Sequence, residues 1–387
     1  MALKDVMKDI EGYTEIVQEI KTLRKYGTDY MERKGEVERM VNLLHPRTIA
    51  LRVSEIIDET PTAKTFRLTA PDGLSLPPFM AGQYINIFLE VKGVRTSRPY
   101  SIASSPSQTG YYDITIRSVE DGFVSSYFLD QAAIGDTFES TSPAGTFTYN
   151  PLFHGKDLVF LAGGSGITPF MSMIREVSQR GLDRRIHLIY GSRDKKDVIF
   201  AEELKQTAAR HGNIQVSTVI SSPPRGFKGL KGFITAGLMK ELLGDVSNKT
   251  FYVCGPDVMY DFCLNELSKL GIQKRKIRTE VYGPPKDVAK QPGWPGEIGP
   301  DSVFSVRLKG GKALAAKASE PLMISLERAG VVIPALCRSG ECSLCRTKLL
   351  AGRVFQPEGV RLRKSDRDFG YIHPCMAYPL SDLEILL

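Results

Sequence analysis

Residues 157–179 read DLVFLAGGSGITPFMSMIREVSQ. The apolar run DLVFLA ends on Gly163-Gly164-Ser165-Gly166, and FMSMIREVSQ then carries apolar residues at helical spacing. Strand, glycine turn and helix in this order make half of a parallel α/β unit. They also let backbone N–H groups approach a pyrophosphate at a helix N-terminus. Thr168-Pro169 stands where a G-x-G-x-x-G fingerprint would place its third glycine, so the turn is of another type. Downstream, RIHLIYG, NIQVSTVI and TFYVCG alternate with helical stretches, which predicts a nucleotide-binding parallel sheet over residues 154–283. Ser192-Arg193 and Cys254-Gly255-Pro256 end two of these strands, at the edge where open α/β sheets bind ligands.

Upstream, over residues 47–153, the texture changes. IALRVSEIIDE, KTFRLTA, YINIFLEV and YDITIRSV alternate apolar and polar residues between glycine and proline breaks, as an antiparallel β-barrel does. Downstream, residues 284–300 are too rich in proline and glycine for helix or strand and read as a linker. A new strand pattern, VFSVRLKG, opens a last domain over residues 301–387.

That domain holds Cys337, Cys342, Cys345 and Cys375 in the spacing C-x4-C-x2-C…C. This is the plant-type 2Fe–2S arrangement and predicts an α+β ferredoxin-like (β-grasp) domain. Two irons need four thiolates converging on a small volume; a tight loop supplies three and a distant strand the fourth. The small residues Ser339, Gly340 and Ser343 leave room for backbone N–H groups to point at sulfur. A structural zinc site is the bland alternative, but zinc ligands usually come as two short pairs. His373 reads as an ordinary loop residue, because a Rieske centre needs two histidines. Cys263 reads as a buried small residue within a helix.

Other motifs reach beyond pattern. Arg98-Pro99-Tyr100-Ser101, the following IASSP and the segment Asp121-Gly122-Phe123-Val124-Ser125-Ser126 together resemble the ferredoxin–NADP reductase superfamily. Residues 163–169 match its GGxGxTP turn. The resemblance implies that the Arg98-Pro99-Tyr100-Ser101 run holds a flavin: Arg98 at its phosphate, Tyr100 on its ring, Ser101 near N5. Gly122, Val124, Ser125 and Ser126 would cradle phosphate at a helix start. Gly163, Gly164, Gly166, Thr168 and Pro169, with Ser192, Arg193, Gly255 and Pro256, would hold the nicotinamide nucleotide. Cys254 would stand near the reacting nicotinamide carbon, which makes Ser101 and Cys254 the expected catalytic residues. Glu280 and Tyr282 resemble the superfamily's terminal element that closes over the flavin. FAD is expected in preference to FMN. Arg193, Lys195, Lys196 and Arg225 suit a 2′-phosphate, while Asp194 and Asp197 oppose it, so NADH is expected in preference to NADPH.

The expected activity is that of an NAD(P)H oxidoreductase. It would pass hydride to FAD and single electrons through the cluster to a separate redox protein, such as an oxygenase or demethylase. The alternatives are an electron-relay or assembly subunit of a larger complex, and a redox-sensing binding protein. The 387 residues carry a net charge of +7 with scattered basic residues, which does not suggest nucleic-acid binding. The chain shows no apolar run long enough to cross a bilayer, and its start lacks a secretory pattern, so the cytoplasm is expected. Residues 1–46 lie outside the resemblance. Leu3, Val6, Ile10, Tyr13, Val17 and Ile20 form a helical stripe broken by Arg24 and Gly27, and Thr28 would cap a second helix carrying Met31, Val37, Met40 and Leu44. This arm would pack on the main body, or else form a homodimer or partner contact.

Overall fold

A computed structural model describes residues 12–26 and 30–387. The chain forms two compact units, Met1–Arg47 and Thr48–Leu387. The first holds helices α1 (Tyr13–Tyr26) and α2 (Tyr30–Leu44). Leu3, Val6, Ile10 and Thr28 lie outside the described residues, as does the side chain of Met31. Arg24 does not break α1 but sits in its last turn, where a cation suits the helix dipole. Tyr13 and Val17 are half-buried, whereas Ile16, Ile20, Leu23, Val37, Met40 and Leu44 are exposed.

The second unit is built on three main sheets. β1 (Thr48–Thr60), β2 (Ala63–Thr69), β3 (Tyr84–Val91), β4 (Val94–Ser101), β5 (Tyr112–Arg117) and β6 (Thr137–Thr141) form an antiparallel sheet in the order β4-β3-β6-β1-β2-β5. A bridge between Ile102 and Ile114 ties the two ends of that order together and closes the barrel. Leu51, Phe66, Ile85, Ile114 and Phe128 fill its interior, the last from helix α3 (Phe123–Asp130).

β7 (Asp157–Gly163), β8 (Arg185–Ser192), β9 (Ile214–Ile220), β10 (Leu230–Lys231), β11 (Thr250–Cys254) and β12 (Ile277–Glu280) form a wholly parallel sheet, in the order β10-β9-β8-β7-β11-β12. Its central strands are buried on both faces, which explains why DLVFLA and TFYVC are apolar runs rather than alternating ones. Helices α4 (Thr168–Arg180), α5 (Ala201–Arg210), α6 (Ala236–Leu243) and α7 (Asp257–Lys269) connect the strands. Strand order reverses between β7 and β11, which makes a topological switch point there.

The last sheet joins β13 (Val303–Leu308), β14 (Ala313–Lys317), β15 (Thr347–Ala351), β17 (Tyr371–Ile372) and β19 (Leu383–Leu386) in the order β14-β13-β19-β15-β17. β16 (Val354–Phe355) pairs separately with β18 (Tyr378–Pro379). Helix α8 (Leu322–Arg328) buries Leu322, Met323 and Leu326 against the sheet, and the short α9 (Lys364–Asp368) lies before β17. The proline- and glycine-rich connection contains no regular α-helix or strand, but it is not a loose tether. Val288 and Trp294 pack on Phe355 and Tyr378.

Candidate functional site

A cleft of about 420 Å³ opens where the three sheets meet. Arg98, Tyr100 and Ser101 line it from β4, Arg117 from the end of β5, and Gly122 and Ser125 from the start of α3. Ser165, Thr168 and Tyr282 contribute from the nucleotide-binding half, and Met323, Arg338 and Cys375 from the ferredoxin-like half. Pro99 and Val124 also line it, whereas Ser126 does not.

The local sequence explains these positions. Gly122 caps α3, and a Cβ there would strike Ser125 Oγ and the Val119 carbonyl, so only glycine lets the chain turn this tightly. Ser125 Oγ is buried with no partner among the protein atoms, at a helix N-terminus that lines the cleft. An anionic oxygen would satisfy it. Arg98 Nη1 donates to Thr96 Oγ1 at 2.7 Å and to the Ser97 carbonyl at 2.7 Å. Burial, and then the neighbouring Arg338 guanidinium, lower Arg98 to about 10. Tyr100 is propped edge-on against Phe128, with ring centroids 5.7 Å apart. A guanidinium, an orphaned hydroxyl and an aromatic ring along one cleft fit a flavin nucleotide.

The glycine turn and the Cys254-Gly255-Pro256 turn meet at the switch point beside this cleft, whereas Ser192 and Arg193 lie at the end of β8. A Cβ on Gly163 would meet Met259 and Pro256, and one on Gly166 would strike the Cys254 carbonyl. The glycine turn therefore nests against the Cys254-Gly255-Pro256 turn, and glycine is needed for that contact. Pro169 lies in the first turn of α4, where its missing N–H costs nothing. Gly164 has φ +53, and its Cα faces Arg117. Cys254 is fully buried and does not line the cleft; Tyr282 covers it and hydrogen-bonds to it. Burial raises its thiol far above the ordinary value. Burial also raises Glu280, with Glu341 adding to the effect, to about 8. Ser192 Oγ is spent on the Asp194 carbonyl at 2.9 Å, and Arg193 is exposed. Asp197 is not free to oppose a 2′-phosphate, because its carboxylate accepts from Thr60 and Thr62 and pairs with Arg117.

The four cysteines come together as two pairs. Cys345 and Cys375 Sγ lie 3.4 Å apart, and the Cys342 thiol hydrogen-bonds Cys337. That bond, with backbone N–H groups, holds the Cys337 thiol well below its ordinary value. Its sulfur accepts from the N–H groups of Ser339, Glu341 and Cys342 at 3.3–3.5 Å. Arg338, Gly340 and Ser343 all have φ between +54° and +79°, which turns these N–H groups inward. Two pairs of thiols, with N–H groups already aimed at sulfur, fit two irons. Cys342 is exposed and the other three are buried.

Some contacts around the cleft and the cysteine loop were not legible in the sequence. His373 lies in a loop, as read, but is fully buried, and its Nδ1 lies 3.1 Å from the Gly340 carbonyl inside the cysteine loop. Arg117 links barrel to nucleotide half through Asp197, and Arg338 faces Arg98. The only sequence signal for Arg338 was its place directly after Cys337.

The chain matches the oxidoreductase FAD-binding domain over residues 49–149, the oxidoreductase NAD-binding domain over 160–265 and the 2Fe-2S iron-sulfur cluster binding domain over 308–380. It is 30% identical over 250 residues to NADH-cytochrome b5 reductase 1 of Dictyostelium discoideum, covering 64% of this chain and 86% of that one. The chain belongs to the ferredoxin–NADP reductase superfamily. Within that superfamily it carries the C-terminal 2Fe–2S domain. The ferredoxin reductase component of 3-ketosteroid-9-alpha-monooxygenase from Rhodococcus rhodochrous is 29% identical over 346 residues, covering 87% of this chain and 95% of that one. Phthalate dioxygenase reductase superposes with TM-score 0.66 at 25% identity, covering 88% of this chain and 97% of that one. This superfamily member is thus an NAD(P)H oxidoreductase that uses FAD and a 2Fe–2S cluster for electron transfer. Among the described residues no helix is long and apolar enough to cross a membrane.

Proposed function

We propose that this reductase serves a separate oxygenase and prefers NADH. The observation that carries the reading is the shared cleft: residues of the flavin motif and the cluster cysteine Cys375 line the same cavity. A bound flavin supplies the exchange between a two-electron hydride donor and a one-electron acceptor. The chain supplies placement. Arg98 and Ser125, with Gly122, Val124 and Ser126 shaping the turn, hold phosphate; Tyr100 and Pro99 set the ring, and Ser101 donates or accepts at its edge. Gly163, Gly164 and Gly166 bring the backbone close to the nucleotide, Thr168 and Pro169 start the helix behind that turn, and Ser192, Arg193, Gly255 and Pro256 complete the rim. Tyr282 shields Cys254 and, with Glu280, closes the site. Cys337 and Cys342 would hold one iron, Cys345 and Cys375 the other.

We further propose the domain limits 47–153, 154–283 and 301–387, joined by 284–300, with the helical extension 1–46 as a dimer or partner contact. Two of the relatives are named as the reductase of an oxygenase, which supports an oxygenase as acceptor here. The preference for NADH is supported by the relative named an NADH reductase and by Asp194. The test is turnover by the purified chain alone, with ferricyanide or cytochrome c as acceptor and NADH or NADPH as donor. An inert chain defeats the enzyme reading, and a higher kcat/KM for NADPH defeats the donor preference.

A further inference from the structure

Glu327 and Arg338 are 6% and 7% exposed, and they form a bidentate ion pair with N···O distances of 2.7 and 2.9 Å. Both belong to the ferredoxin-like half, Glu327 on α8 and Arg338 directly after Cys337. The pair is not self-contained. Thr96 on β4 donates to Glu327 Oε2 at 3.0 Å, and the same hydroxyl accepts from Arg98 at 2.7 Å. Arg338 Nη1 also reaches Ser97 Oγ at 3.4 Å. Beside it, Asn86 donates to Ser97 Oγ at 3.0 Å and to the Ala335 carbonyl at 2.7 Å. An unbroken chain of bonds thus runs from Arg98 through Thr96 and Glu327 to Arg338, which is covalently joined to Cys337.

Burying this pair is costly, and a pair serving only to fold the small domain is readily replaced by apolar side chains. The buried carboxylate here also binds across the domain boundary, to the strand that carries the flavin motif. We propose that Arg338 is a positioning residue for flavin-to-cluster electron transfer. With Glu327 and Thr96 it latches the cysteine loop to β4, so that transfer takes place within one fixed docked arrangement. A planar guanidinium suits the task, because it grips the carboxylate with two N–H groups while a third direction faces Ser97. The proposal rests on the flavin and cluster readings given above.

The test uses the full chain with its cofactors and two variants. Arg338→Lys keeps the charge and loses the bidentate grip; Thr96→Val leaves the Glu327–Arg338 pair and the longer Arg338–Ser97 contact in place, and removes the Glu327 bond to β4 together with one acceptor of Arg98. Iron, sulfide and flavin contents are measured first, with the electron paramagnetic resonance spectrum of the reduced cluster. Hydrogen exchange then follows residues 94–101 and 322–328, and rapid mixing with NADH resolves flavin bleaching from cluster reduction. In both variants the ratio of the second rate to the first is expected to fall about tenfold, the shift in docked population from losing one charge-assisted hydrogen bond. Exchange should rise in both segments while the cluster spectrum stays unchanged. If Arg338→Lys loses its cluster, Thr96→Val decides alone. Wild-type phase ratio and wild-type exchange in Thr96→Val overturn the latch. Absence of flavin or iron from the unaltered chain overturns the underlying reading instead.

Discussion

Ser101 Oγ and the Tyr282 hydroxyl lie 2.6 Å apart, joining the last residue of β4 to the chain just beyond β12. Tyr282 in turn hydrogen-bonds to the buried Cys254 thiol. The two residues proposed for hydride chemistry are therefore bridged by a tyrosine from a third segment.

Ser101→Ala removes one of the two partners of the Tyr282 hydroxyl and a polar group from the cleft. Flavin should remain bound, while its bleaching by NADH slows up to about tenfold, the size of one neutral hydrogen bond. Rapid-mixing absorbance checks this, and an unchanged rate removes Ser101 from the chemistry.

Arg98→Gln should weaken flavin binding by about tenfold or more, because it deletes a charge-assisted contact to phosphate. The check is flavin retained after gel filtration, together with titration of the stripped chain. Equal retention would assign phosphate binding to the α3 turn alone.

Cys342→Ser should abolish the cluster and spare the flavin, because its thiol belongs to the cysteine loop and lines no part of the flavin cleft. The unaltered chain should contain about two irons and about two labile sulfides. In the variant NADH should still bleach the flavin, while delivery to a protein acceptor collapses. Zinc without sulfide in the unaltered chain would defeat the assignment.

Acid should weaken the nucleotide-binding half. Burial, then Arg278, depresses His154 below its ordinary 6.5, and burial, then Lys249, does the same to His187. Just below that value the unfolded chain binds more protons than the folded one. Both contributions are therefore complete above 6.5 and are lost as pH falls beneath it. His187→Gln keeps an amide near Ser217 and removes one titration. Its melting temperature should drop less than the parent's between about pH 7.5 and about pH 5.5.

The ferredoxin-like half carries thirteen Lys or Arg against nine Asp or Glu, and the Arg361 N–H donates to the Gly340 carbonyl in the cysteine loop. Arg363 and Lys364 are exposed close by in sequence, and Cys342 is the exposed cysteine. A basic rim here favours an acidic acceptor. Electron delivery should fall with rising salt and with Arg363→Glu or Lys364→Glu. Rates insensitive to both would show that charge does not steer docking.

Wherever chemistry demands a local pattern, the sequence alone determined the outcome. C-x4-C-x2-C…C specified the cluster loop because four thiolates must converge. The glycine turn after DLVFLA specified a strand end at a helix start, because no other residue allows backbone to approach that closely. Alternating and continuous apolar runs separated the antiparallel barrel from the parallel sheet. What only the tertiary structure decided are contacts between segments distant along the chain, for which no short-range spacing exists. Asp197 read as a residue opposing phosphate, yet Thr60, Thr62 and Arg117 claim its carboxylate. Nothing in the sequence singled out Arg338 beyond its place after Cys337, yet it answers Glu327 and, through it, Thr96 on β4. A charged side chain's role depends on which partner burial brings within hydrogen-bond reach, and that is a property of the assembled fold.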